Sequence, residues 1–195
     1  MIRIWKRPLI SLNILIEKNK GVLKMNFKLV KPDMEMEKEY NDYISEWEKS
    51  EEKIVPYASR RCGQVFPSLL NNWQIDSTEM AYEKGFVPST LYFLVDENKK
   101  IYGALHIRHE LNKYLLSYGG HIGYGIRPSE MKKGYASLML SLSLPIAKEL
   151  GIKRALITCD KENIGSSKTI KNNGGVLENE LEQQGEIIQR YWIDL

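Results

Sequence analysis

The segment His121-Ile122-Gly123-Tyr124-Gly125-Ile126-Arg127-Pro128 constrains the fold more than any other. It reads as a strand, and a strand's period of two puts Gly119, His121, Gly123 and Gly125 on one face. That face is nearly free of side chains. Glycine weakens a strand, so its repetition implies that something approaches this backbone closely. Pro128 removes an N–H and ends the strand. Lys132-Lys133-Gly134-Tyr135-Ala136 then turns directly into an apolar helix, about Tyr135–Leu150, stopped by Gly151. Successive N–H groups at a glycine-containing turn before a helix N-terminus make an anion cradle. The two lysines add positive charge beside it.

The flanking sequence supplies a mixed architecture. Asn26–Lys31 alternates as a strand, with Phe27 and Leu29 on one face. After Pro32-Asp33, the residues Met36, Tyr40, Tyr43, Ile44 and Trp47 recur at helical spacing. A second helix is predicted over Ser68–Lys84, ending at Gly85. Strands follow at Thr90–Asp96, Ile101–His109 and Tyr118–Ile126. Beyond the apolar helix come a strand at Lys153–Thr158, a helix over Ile164–Asn173, and a hairpin of Val176–Leu181 with Ile187–Ile193. The fold class is α/β in the broad sense (α+β). A mixed, mostly antiparallel central sheet of about seven strands is flanked by helices on both faces.

Composition excludes several classes. The 195 residues carry a net charge of +3, but the excess is local. Residues 1–24 hold six basic residues against Glu17 alone, a net of +5, leaving −2 for residues 25–195. That balance argues against a nucleic-acid partner. No apolar run approaches the ~20 residues that span a bilayer, so no membrane segment is expected. Cys62 and Cys159 make no disulfide scaffold, and a cytoplasmic location is the default. Leu9–Ile16 after Arg3, Lys6 and Arg7 mimics a signal peptide, but no small-residue cleavage site follows. A second methionine, Met25, stands directly before the first strand. Residues 1–24 are therefore read as an N-terminal extension, from a mis-assigned start or disordered, and residues 25–195 as one domain.

Competing phosphate motifs fail: there is no P-loop, and Pro128 occupies the last glycine position of a G-x-G-x-x-G. There is no nucleophile elbow and no zinc-ligand spacing among three histidines and two cysteines. Met131-Lys132-Lys133-Gly134-Tyr135-Ala136 instead resembles the acetyl-CoA motif of the GNAT superfamily of N-acetyltransferases, [QR]-x-x-G-x-[GA] after a splayed strand. The element order from Asn26 to Leu195 is similar too. The narrower likeness is to small bacterial acetyltransferases of unassigned substrate.

The resemblance implies acetyl-CoA as co-substrate and no metal. It implies pantetheine pairing along Gly123, Tyr124, Gly125, Ile126 and Arg127. It places the pyrophosphate on the turn of Met131, Lys132, Lys133, Gly134, Tyr135, Ala136 and Ser137. Asn163 matches the family's cofactor-contacting Asn and reads equally as a helix N-cap; Ser166 follows it toward the cofactor. Two positions depart from the pattern. Met131 cannot donate a side-chain hydrogen bond to phosphate, which leaves compensation to Lys132 or Lys133. Ile170 stands where many members carry a general-acid Tyr.

Acetyl transfer by direct attack in a ternary complex needs a deprotonated amine, and a lysine-like amine has a pKa of ~10.4. His121, at a strand position where many relatives have Glu, is the first base candidate. Glu110 and His109 are the alternatives, and His106 shares a polar strand face with Arg108. The family builds its acceptor side from the first two helices, here with Trp47, Tyr57, Arg60, Arg61, Phe66 and Trp73. Arg60-Arg61 would attract an acidic substrate group. The acceptor is a small-molecule or peptide amine, and the chain a monomer or homodimer. The rival reading is a non-catalytic CoA-binding sensor or interaction module.

Overall fold

The computed structural model describes residues 11–18, 21–50 and 52–195. In chain order the elements are β1 (Ser11–Lys18), β2 (Gly21–Val30), α1 (Glu37–Ser50), α2 (Phe66–Asp76), β3 (Ser89–Val95) and β4 (Ile101–Arg108). They continue with β5 (Ile122–Ile126), α3 (Tyr135–Glu149), β6 (Arg154–Asp160), α4 (Ile164–Asn172), β7 (Val176–Gln183) and β8 (Glu186–Asp194). Seven strands begin at or after residue 21, and Ser11–Lys18 adds another by pairing antiparallel with β2. Residues 1–10, 19 and 20 of the expected extension lie outside the described residues.

The strands form two sheets, in the orders β1-β2-β3-β4-β5 and β6-β8-β7, and their ladders are antiparallel. The sequence suggested one continuous sheet. The break falls between β5 and β6, where no ladder runs among the described residues. There a reciprocal pair of hydrogen bonds joins them. The His121 N–H donates to the Leu156 carbonyl at 2.7 Å. The Leu156 N–H donates to His121 Nδ1 at 2.9 Å. A side chain thus closes a pair that a backbone carbonyl would close in a regular ladder. Past this clasp, the far edge of β5 is free of backbone partners among the described residues.

Strand β3 shows why the sheet is covered on both sides. Tyr92 and Leu94 join one core with Phe27, Leu105, Ile107 and the α3 residues Leu138, Met139 and Leu142. Leu91, Phe93 and Val95 join the other, with Tyr40, Tyr43, Ile44 and Trp47 of α1 and Phe66, Leu69 and Trp73 of α2. Alternate side chains therefore serve opposite layers, and all seven residues of the strand are buried. The expected helical stripe Met36, Tyr40, Tyr43, Ile44 and Trp47 is wholly buried.

The second predicted helix is two pieces. α2 stops at Asp76, where the Ser77 and Thr78 hydroxyls donate back to the Gln74 and Ile75 carbonyls. Thr78 then caps a two-turn 3-10 helix, Glu79–Lys84, which ends at Gly85 as expected. Side chains that compete for backbone groups end the helix early. The strand predicted from Tyr118 begins only at Ile122, because Leu115–Gly119 winds into a π-turn.

Candidate active site

Gly125 explains part of the glycine-rich face. A Cβ there would lie 2.1 Å from the Val55 carbonyl oxygen. The chain's own α1–α2 connection is thus what approaches β5 most closely. At Gly123 the approach is looser: a Cβ would meet Pro56 and Arg108 Nη1, each at 3.8 Å. His106 lies opposite Gly123 in the β4–β5 ladder.

On this face opens a cavity of about 700 Å³. Tyr57, Trp73 and Phe86 give it aromatic walls, and Arg60, His106 and Arg108 bring polar heads to it. The Trp73 indole N–H is spent on the Ala58 carbonyl at 2.8 Å, which holds the wall in place. Of the predicted arginine pair, Arg60 lines the cavity, whereas Arg61 turns to Glu48 at 3.5 Å. Trp47 is core, at 1% exposure, and does not line the cavity.

The other end of β5 leads to the turn. Lys132 and Gly134 both have positive φ, 60° and 86°. A Cβ on Gly134 would meet nothing within 4 Å, so the space before α3 is open. Gly134 is the residue before α3, and the first intrahelical bond runs from the Leu138 N–H to its carbonyl. The N–H groups of Tyr135, Ala136 and Ser137 therefore lie in the first turn, without intrahelical acceptors. Three such N–H groups in one turn are the arrangement that an anion can meet.

Side chains around the turn do less than the sequence suggested. Met131 packs at the edge of both cores, which accounts for an apolar residue there. Lys133 Nζ is held by the Ser129 carbonyl at 2.7 Å and Glu130 at 2.9 Å. Lys132 has no such partner among the described residues.

The Arg127 side chain turns to the other layer. Its guanidinium is buried against α1, paired with Glu46 and with Asp42 at 2.7 Å. Its N–H donates to the Tyr102 carbonyl. Burial favours a neutral Glu46, but the Ser129 N–H and Arg127 outweigh it and hold the carboxyl below its ordinary range.

Asn163 caps α4, its side chain accepting from the Ser166 N–H at 2.9 Å. The Ser166 hydroxyl lies 3.1 Å from the Tyr124 hydroxyl, linking α4 to β5. Burial pushes the Tyr124 phenol up to about 12, so it stays protonated. Ile170 is fully buried and offers no proton.

The three histidines separate clearly. His121 spends its Nδ1 lone pair on Leu156, so its neutral ring carries the proton on Nε2. Burial, then Arg108, lowers its pKa to about 4. That lone pair cannot take a proton without breaking the clasp between the sheets. His109 Nε2 pairs with the Thr90 hydroxyl at 2.8 Å, and Glu110 accepts from the Tyr82 hydroxyl at 2.9 Å. Neither lines the cavity. His106 does, and burial followed by Arg108 lowers its pKa to about 3. The sequence placed His106 and Arg108 on one polar face; the spatial role of Val55-Pro56 and the Tyr124–Ser166 pair left no sequence signal.

The family model "Acetyltransferase (GNAT) domain" matches residues 32–176. The chain belongs to the GNAT acetyltransferase family. It is thus an N-acetyltransferase by family, using an acetyl-CoA donor and an amine. No curated protein matches it. Among solved structures, it is similar to the microcin C7 self-immunity acetyltransferase MccE in complex with acetyl-CoA and AMP. That pair has 20% identity and a TM-score of 0.61, covering 87% of this chain and 92% of the other. It is also similar to RimL, the ribosomal L7/L12 alpha-N-protein acetyltransferase, in complex with coenzyme A. Here identity is 17%, TM-score 0.59, and coverage 87% and 94%. A chimera of spermidine N-acetyltransferase SpeG from Vibrio cholerae with hSSAT aligns at 15% identity, TM-score 0.58, over 86% and 95% of the two chains. These likenesses establish the fold. Among the described residues, no helix is long and apolar enough to cross a membrane.

Proposed function

We propose that this chain acetylates a primary amine bound in the 700 Å³ cavity, by direct attack within a ternary complex. The observation that carries the reading is the place of Gly123. It pairs with His106 and a Cβ on it would stand 3.8 Å from Arg108, both of which line the cavity, while its strand leads along a free edge to the turn at Gly134. Acetyl-CoA supplies the activated acetyl group. The first-turn N–H groups of Tyr135, Ala136 and Ser137 hold its pyrophosphate, with Lys132 in place of the missing [QR] side chain. The β5 edge from Gly123 to Ile126 pairs with the pantetheine arm. Free thiols at Cys62 and Cys159 accord with a reducing cytoplasm.

The chain's own groups then handle protons. His106 is the imidazole that lines the cavity, neutral at ordinary pH. It accepts a hydrogen bond from the neutral amine and aims the nitrogen lone pair at the thioester, and the proton that the nitrogen sheds after attack goes to water. His121 serves as the sheet clasp rather than the base. The Tyr124–Ser166 hydroxyl pair, protonated and 3.1 Å apart, donates to the departing thiolate. Holding amine and donor together supplies much of the remaining acceleration.

The test is release of CoA thiol from acetyl-CoA across an amine panel, with the acetylated amine detected by mass spectrometry. Amine-dependent release is expected, and His106→Ala should lower kcat by about 100-fold in a variant that a thermal melt shows to be folded. Tight acetyl-CoA binding with no amine consumed would instead favour the non-catalytic CoA-binding module.

A further inference from the structure

We propose that the acceptor carries an oxyanion, a carboxylate or phosphate, close to its amine, and that Arg108 receives it. The proposal rests on the acetyltransferase reading of the cavity and names its substrate class.

The chain buries Arg127 and Arg190 and gives each a carboxylate; the partly buried Arg108 is treated differently. Arg127 is paired with Glu46 and Asp42. Arg190 is paired with Glu178 at 2.6 Å and bonded to Asn179. Arg108 has no carboxylate partner among the described residues. Its Nη1 donates to the Gly119 and Gly120 carbonyls at 3.0 and 3.1 Å. Those bonds fix the guanidinium plane. They leave the Nε and Nη2 edge without a protein acceptor among the described residues. That edge is a two-donor fork matched to a planar carboxylate or to two phosphate oxygens. An enclosed cation without a counter-charge is costly, and a bound anion removes the cost.

The rest of the cavity agrees in sign. Arg60, its Nε bonded to the Ile54 carbonyl at 3.0 Å and its guanidinium over the Tyr57 ring, also lines the wall. Lys84 and Asp76 neutralise each other at 2.7 Å. The histidine there is neutral. Arg60 and Arg108 are therefore an uncompensated pair of cations.

Position fixes the kind of molecule. Arg108 Nη1 lies 3.8 Å from where a Cβ on Gly123 would stand. The anion subsite is thus next to the strand that leads to the cofactor cradle. An amine presented to that strand and an anion on Arg108 belong to one small molecule, of amino-acid or aminophosphate type. Trp73 and Phe86 face the remainder of it.

The experiment compares matched amines: phenylalanine with phenethylamine, leucine with isoamylamine, and phosphoethanolamine with ethanolamine. The acidic member of at least one pair should show kcat/KM higher by about 10- to 100-fold, the range of a charged hydrogen-bonded contact. The pair that responds tells carboxylate from phosphate. Arg108→Gln should erase that preference, lowering kcat/KM for the acidic member of the pair about 10-fold or more beyond any change in its neutral match. Arg108→Lys, which keeps the charge but not the fork, should recover part of it, and a thermal melt verifies that each variant folds. Equal use of both members of every pair, with Arg108→Gln affecting them alike, overturns the proposal and leaves the enzyme reading standing. A second measurement needs no turnover: calorimetric binding of N-acetylphenylalanine, N-acetylleucine and N-acetylphosphoethanolamine against their N-acetylated neutral counterparts. Binding of an acidic ligand that Arg108→Gln removes supports the anion site even if no amine is consumed. Indifference of all these ligands to Arg108→Gln contradicts it.

Discussion

The two halves of the proposed site are built in opposite ways. The cofactor end is made of backbone: the free edge of β5, and the N–H groups after Gly134, all within Gly123–Ser137. The acceptor end is made of side chains drawn from the α1–α2 connection, α2, the loop before β3, and β4. Backbone sites tolerate side-chain change and are broken by change of conformation. Side-chain sites behave the other way round. One scaffold can thus keep a constant donor site and vary its acceptor.

The largest effect on that contrast should come from Gly125→Val. Its Cβ would stand 2.1 Å from the Val55 oxygen, so the α1–α2 connection must lift away. We expect a loss of about 3 kcal/mol in urea unfolding. In the folded fraction, KM for the amine should rise far more than Kd for acetyl-CoA. An equal loss at both ends would show that the halves are not separable.

Next is Arg127→Met, which removes the tie between β5 and α1. Its carboxylate partners are partly exposed, so the expected loss is about 2 kcal/mol at neutral pH. The variant also changes the pH response. Glu46 titrates lower in the folded chain than its ordinary 4.5, so its contribution is complete above that value. It disappears as pH falls through the folded value. The parent should therefore lose stability steeply below about pH 4.5, and the variant less steeply. Parallel pH profiles would remove the pair from the account.

The smallest effect should come from Met131→Ala. The thioether packs against the cores and offers phosphate nothing, so acetyl-CoA affinity should stay within about threefold in calorimetry. A tenfold loss would mean that this side chain belongs to the cofactor end after all.

The same contrast explains what could be read from the sequence. The cradle is contiguous, and glycine, proline and helix periodicity signal backbone geometry directly. The layers were legible in part, through the strand expected at Thr90–Asp96 and the stripe from Met36 to Trp47. The acceptor end was not, because its parts are distant in sequence and meet only through the fold. Nothing in Val55-Pro56 announces that it crosses Gly125. His121 shows the same limit. Its residue type and strand position suggested a base, but its Nδ1 closes the gap between two sheets. Arg127 likewise sat in the right motif with its side chain turned to the other layer. Both are long-range partnerships, which no local pattern encodes.

The central claim is that backbone conformation at Gly134 makes the donor site. It is tested most directly by calorimetric titration of acetyl-CoA into the parent chain and into Gly134→Glu. The substitution forces a side chain into a left-handed conformation and sets a carboxylate before the helix N-terminus. The account predicts saturable binding by the parent and a loss of about 100-fold or more in the variant, which stays folded with Tm lowered by several degrees. Equal affinity in the two proteins would contradict it.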